Sequence, residues 1–187
     1  MKKTLAEMSL EELWHLFPIF LTKHQEDWKT WYLEEKRALE KVFPQDVRIH
    51  HIGSTSVASL WAKPIIDILA EIPKNRDIAI TKEILPAMEY ICMSETKERI
   101  SFNKGYTENG FAQKVFHLHV RYMGDNDELY FRDYLMEHPD VADAYQKLKL
   151  KLWKTFEYNR DAYTDAKTEF ITKYTEKAKI RYGNKFK

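Results

Sequence analysis

The sequence predicts an α/β protein of mixed α+β character: a sheet flanked by helices, then a helical C-terminal part. Three observations predict it. The segment "PIIDILAEI" is almost continuously apolar, as a strand buried on both faces should be. Two β-rich runs, "ERISFNKGY" and "KVFHLHVRYM", flank "TENGFAQ" as the arms of a hairpin. Before and after this middle lie segments whose apolar residues recur at helical spacing.

The elements follow in order. Ser9 and Glu12 form a capping box, so "SLEELWHLF" opens as a helix that Pro18 stops. "HQEDWKTWYLEEKRALEKVF" carries an apolar stripe of Trp28, Trp31, Tyr32, Leu39, Val42 and Phe43 against a charged face, an amphipathic helix. "VRIHHIG" reads as a short strand ending at a glycine, and "STSVASLW" as a short helix capped by Ser54 or Thr55. After "PIIDILAEI" comes a helix over "DIAITKEILPAMEYI", kinked or broken at Pro86, and then a strand at "ICMSE". "GDND" makes a turn into three helices, "ELYFRDYLMEH", "PDVADAYQKLKLKLWKTF" and "AYTDAKTEFITKYTEKAKIRY", the last closed by Gly183. "KLKLKLW" alternates like a strand, yet Ala142, Tyr145, Leu148, Leu152 and Phe156 keep helical spacing and Pro139 suits a first turn, so helix is the reading. No repeat or long linker divides the chain. The expectation is one domain over 1–187, with helices at 1–43, the sheet at 46–122 and helices at 127–183.

The 30 basic and 29 acidic residues leave a net charge of +1, without the basic excess that extended nucleic-acid binding needs. The N-terminus lacks the apolar core of a signal peptide and no run is long enough for a membrane span, so the expected place is the cytoplasm. The single Cys92 excludes an internal disulfide and a cysteine-rich zinc site, and is expected to be a small buried hydrophobe. A P-loop, a GxGxxG turn, an HExxH helix and paired CxxC motifs are all absent.

Two features admit chemistry. Gly53 and Ser54, between a strand and a short helix, either cap that helix or aim backbone N–H groups and a hydroxyl at phosphate oxygens, with Thr55 alongside. Asp67 lies in a strand that ought to be buried, where an unpaired carboxylate is costly; Lys63 or a metal ion would relieve it. His117 and His119 alternate on one strand and share a face: either satisfied sheet histidines, or partners of Asp67 in holding a metal or phosphate. Of His50 and His51 at most one can join them, because neighbours on a strand face opposite ways. Arg132 fits a bidentate phosphate clamp or an ion pair with Asp133. Lys149 and Lys167 read by themselves as charges on solvated helix faces, and Tyr145 and Tyr163 as core residues with hydroxyls towards a polar cleft.

"HHIGSTSVASLWAKPIIDILAEI", "FHLHV", "FRDYLMEHPDVADAYQKLK" and "AYTDAKTEFI", in this order, resemble the successive blocks of the GrpB family, from about residue 48 to the last helix. The resemblance implies a nucleotidyltransferase-like fold, with Gly53 and Ser54 at nucleotide phosphates and Asp67 as the first metal-binding carboxylate, for Mg or Mn. It also raises Lys149 and Lys167 to anion ligands. GrpB domains fused to dephospho-CoA kinases add a hint of a nucleotide-like ligand. The chain departs from the superfamily pattern at the second carboxylate, where Leu69 stands; Glu71, four residues past Asp67, is about 13 Å along the strand. Three functions follow: metal-dependent nucleotidyl transfer on a phosphate-bearing small molecule, a non-catalytic nucleotide- or CoA-binding module, or a transition-metal hydrolase using Asp67, His117 and His119.

Overall fold

Alternation along the strands gives the sheet two unlike faces, and that difference positions everything else. A computed structural model describes residues 3–186. It contains α1 (Leu10–Leu16), α2 (Asp27–Leu39), β1 (Arg48–Ile52), β2 (Ile66–Ile72), α3 (Thr81–Ile84), β3 (Ile91–Glu95), β4 (Arg99–Thr107), β5 (Gly110–Tyr122), α4 (Asp127–Glu137), α5 (Pro139–Phe156) and α6 (Arg160–Tyr182). The strand order is β1-β2-β5-β4-β3. β2 and β5 run parallel while the other pairs are antiparallel, a mixed sheet.

Residues paired across strands share a face. One face gathers Ile49, Ile66, Ile68, Ala70, Phe116, Leu118, Val120, Ile100 and Phe102, all buried. Trp28 and Leu39 of α2 close over it, with Ile78 and Leu85 from either side of α3. Each such side chain taken fully out of water contributes about 1.5–3 kcal/mol, so this face carries the main core. The opposite face pairs Asp67 with His117, Leu69 with His119 and Glu71 with Arg121. Its apolar part is a small cluster of Ile52, Leu69 and Leu129 of α4. A further cluster joins Val57 and Leu60 to α4 and α5, backed by Phe170, Ile171 and Tyr174 of α6.

Most expected elements are present: the Ser9–Glu12 capping box, the helix over "KLKLKLW" and a β2 buried everywhere except at Asp67. Three expectations are corrected. "STSVASLW" forms one 3-10 turn, Ser54–Ser56, because the chain leaves it in extended conformation at Val57. The helix over "DIAITKEILPAMEYI" reduces to 3-10 turns around the four-residue α3, ended by Glu89 in the left-handed region at φ 66°. Cys92 is exposed rather than buried, since β3 is an edge strand whose five residues all face solvent. Among the described residues no helix is long and apolar enough to cross a membrane.

Candidate phosphate and metal site

The parallel pairing of β2 with β5 sets Asp67 beside His117 with no loop between them. Asp67 Oδ1 lies 3.2 Å from His117 Nδ1 and 3.7 Å from His119 Nε2. One ligating atom from each residue falls within 4.8 Å of the others. Burial works against the Asp67 carboxylate, but the adjoining His117 and His119 imidazoles outweigh it and hold its pKa below the usual carboxylate range. The His117 imidazole is pushed down by burial, only partly opposed by Asp67.

Gly53 is essential to this packing. Its φ of 71° and ψ of −175° belong to a region that glycine alone occupies readily. A Cβ there would stand 2.3 Å from Asp67 Oδ2. The loop that follows is tied inward. Ser56 Oγ donates to the Gly53 carbonyl at 2.6 Å and Thr55 Oγ1 to the Ile65 carbonyl at 3.2 Å. His51 then donates to Thr55 Oγ1 at 3.0 Å while stacking on Tyr32. Burial holds the His51 ring neutral, with a pKa of about 4.

Three lysines and an arginine surround this loop. Lys149 of α5, 3% exposed, donates to Ser54 Oγ at 2.9 Å and to the Trp61 carbonyl. Lys167 of α6 lies over the Tyr163 ring at 4.2 Å, and Lys63 approaches the same ring at 5.8 Å. Arg160, at the start of α6, reaches the Tyr106 hydroxyl at 3.3 Å and His117 Nε2 at 3.5 Å. Among the described residues none of these four cations forms an ion pair. Burial first, and mutual repulsion second, lowers Lys63 and Lys149 to about 7. Burial likewise lowers Lys167 to about 8. They line a cavity of about 220 Å³ with Gly53, Ser54, Thr55, Asp67 and His117.

The remaining candidates lie elsewhere. Arg132 bonds Asp133 at 2.8 Å and the His51 carbonyl at 2.8 Å. It lines a neighbouring cavity of about 350 Å³, which shares Gly53, Ser54 and Tyr145 with the first. His50 and Glu71 pair with each other at 3.0 Å, and Glu71 also accepts from Asn126 and the Gly124 N–H. Leu69, at the second carboxylate position, has 0% exposure. A magnesium pair held by two carboxylates of β2 therefore does not fit these residues.

Tyr106 and Arg160 were not legible in the sequence. In a regular strand Tyr106 would follow Lys104 to the α2 side, where Lys104 meets Glu35 at 3.0 Å. The register shifts between Lys104 and Tyr106, at Gly105 with φ 89°. This bulge turns the Tyr106 hydroxyl to within 2.8 Å of His117 Nε2. Gly105 in "NKGY" was the available signal.

A family model described as "GrpB protein" matches residues 18–177. The chain belongs to the GrpB family. This GrpB chain is 33% identical over 181 residues to the UPF0157 protein YqkA of Bacillus subtilis (strain 168), covering 93% of itself and 52% of that protein. It is also 33% identical over 160 residues to the glutamate-rich protein GrpB of Alkalihalophilus pseudofirmus, covering 82% of itself and 91% of that relative. It thus spans about half of YqkA and most of the second relative. The crystal structure of the conserved protein GrpB from Enterococcus faecalis matches with a TM-score of 0.76 at 29% identity, over 87% of this chain and 99% of that one. The Cid1 poly(U) polymerase, in a structure with MgGTP bound, matches with a TM-score of 0.51 at 11% identity, over 79% of this chain and 47% of that one. That likeness is one of fold, and the fold is nucleotidyltransferase-like.

Proposed function

We propose that this GrpB protein binds a phosphate-bearing small molecule, a nucleotide, in the cavity between the Gly53–Ser54 loop, β2 and the helices α5 and α6. The observation that carries the reading is the convergence of Lys63, Lys149, Lys167 and Arg160 on that cavity with no ion pair among them. An anion placed among these amines favours their charged form against both burial and mutual repulsion, so phosphate binding relieves a cost built into the fold. Ser54 supplies a hydroxyl and Gly53 a backbone free of any side chain for close approach. Two-metal nucleotidyl transfer is outside the proposal, because Leu69 removes one of the carboxylates it needs.

The test is a thermal-shift panel of nucleoside triphosphates, dephospho-CoA, CoA and inorganic phosphate, run in chelator and again with magnesium or manganese. A ligand at 100 times its dissociation constant stabilises by about 2.7 kcal/mol, roughly 5–10 °C for a chain of this size. A shift in chelator that is reduced in Lys167→Met supports the reading; no shift with any phosphate compound overturns it.

A further inference from the structure

We propose that Asp67, His117 and His119 form a site for a single transition-metal ion of the manganese, cobalt or zinc class, in place of the magnesium pair that this strand cannot hold. The spacing is the first support. Neighbouring ligands of an ion bound at about 2.0–2.2 Å stand roughly 3–3.6 Å apart. The Asp67 oxygen already lies 3.2 and 3.7 Å from the two histidine nitrogens. All three ligating atoms fall within 4.8 Å of one another, so closing on one ion requires side-chain rotation but no movement of the strands.

Donor chemistry sets the choice of ion. Magnesium favours six oxygens, whereas two imidazoles and one carboxylate suit first-row transition ions. The imidazoles come from alternate positions of β5, beside Asp67 on the neighbouring β2, so the site is held by the sheet rather than by a loop.

The surroundings agree. A metal-bound histidine usually hands its second ring N–H to an acceptor that fixes the ring. The Tyr106 hydroxyl sits 2.8 Å from His117 Nε2, with Arg160 behind it. With the ion on Nδ1, the Nε2–H donates to the Tyr106 oxygen, and the Arg160 N–H now 3.5 Å from Nε2 must turn to Tyr106 alone. Gly53 leaves room for the carboxylate, and Asp67 and His117 line the lysine-rich cavity. An ion held by Asp67 and His117 would therefore border the place assigned to phosphate oxygens.

The site stands without the nucleotide reading, and its test contains no nucleotide. The full chain, stripped with chelator and returned to a non-chelating buffer at pH 8, is titrated with Co2+, Zn2+, Mn2+ or Mg2+ alone by calorimetry, with metal content measured after dialysis. At that pH Lys63 and Lys149, at about 7, are mostly uncharged and repel a cation least. One equivalent of Co2+ or Zn2+, bound at least about tenfold more tightly than Mg2+, is expected. His119→Gln, at a partly exposed position, abolishes this binding. Tyr106→Phe keeps all three ligands and weakens it roughly 10–100-fold. Absence of uptake by normally melting wild type, equal affinity for Mg2+, or unchanged binding in His119→Gln overturns the proposal. The nucleotide shifts in chelator are read separately, so either idea can fail alone.

Discussion

The Asp67 carboxylate rests directly on the backbone of Gly53: a methyl group placed on that Cα would come within 2.3 Å of Oδ2. The loop and the neighbouring strand are thus fitted to each other at one point, and neither can change alone.

Gly53→Ala tests that fit. The alanine must adopt φ near 71° and displace the carboxylate. The backbone cost alone is about 1–3 kcal/mol. An apparent Tm lower by roughly 3–10 °C is expected, together with reduced metal uptake. An alanine variant with unchanged Tm and metal content would show that the loop is not seated on Asp67.

Lys149→Met tests the buried amines through pH. Lys63 and Lys149 are lowered from 10.5 to about 7 and Lys167 to about 8, so across that window the unfolded chain binds more protons than the folded one. Their contribution therefore raises stability as pH climbs from about 7 towards 10.5. Anion binding has the opposite dependence, weakening as pH rises above about 7 and the amines lose their protons. Melting curves from pH 6.5 to 9.5 in phosphate-free buffer should rise less steeply in Lys149→Met than in the wild type. Parallel slopes would mean that Lys149 keeps an ordinary pKa.

Leu69→Asp asks whether the missing carboxylate can be restored. The leucine packs with Ile52 and Leu129 at 0% exposure, so an aspartate there is a charge buried in an apolar cluster. Urea titration should show a loss of about 3–5 kcal/mol that saturating Mg2+ does not recover. Stability within 1 kcal/mol of wild type, or rescue by magnesium, would contradict this packing.

Cys92 offers the quickest check on the sheet edge. It is the only cysteine and is exposed on β3. Native protein should react with a thiol reagent to one equivalent without denaturant; reaction only after unfolding would put the residue inside.

The sequence exposed the site unevenly, and the reason is geometric. A strand repeats every two residues, so His117 and His119 could be placed on one face from spacing alone, and Pro139 with its helical stripe located α5. What periodicity does not encode is which strand lies beside which. Cys92 was expected inside because nothing local marks an edge strand. Tyr106 was overlooked because one bulge at Gly105 reverses the face that alternation assigns it. Arg160 was overlooked because its partners are 43 and 54 residues away. Lys149 looked solvated because its stretch is rich in lysine, yet the fold leaves it 3% exposed.

The helix α6 connects distant parts of the molecule. Its 23 residues span about 35 Å. Arg160, Tyr163 and Lys167 stand at the cleft end, while the Gly183 carbonyl just beyond the other end accepts from Tyr130, and the Phe186 carbonyl accepts from Asn126. Asn126 in turn donates to Glu71 on β2. A rod pinned at both extremities cannot tilt at one without loading the other. Slowed amide exchange around Gly183 would then be a readout of cleft occupancy made far from the ligand itself.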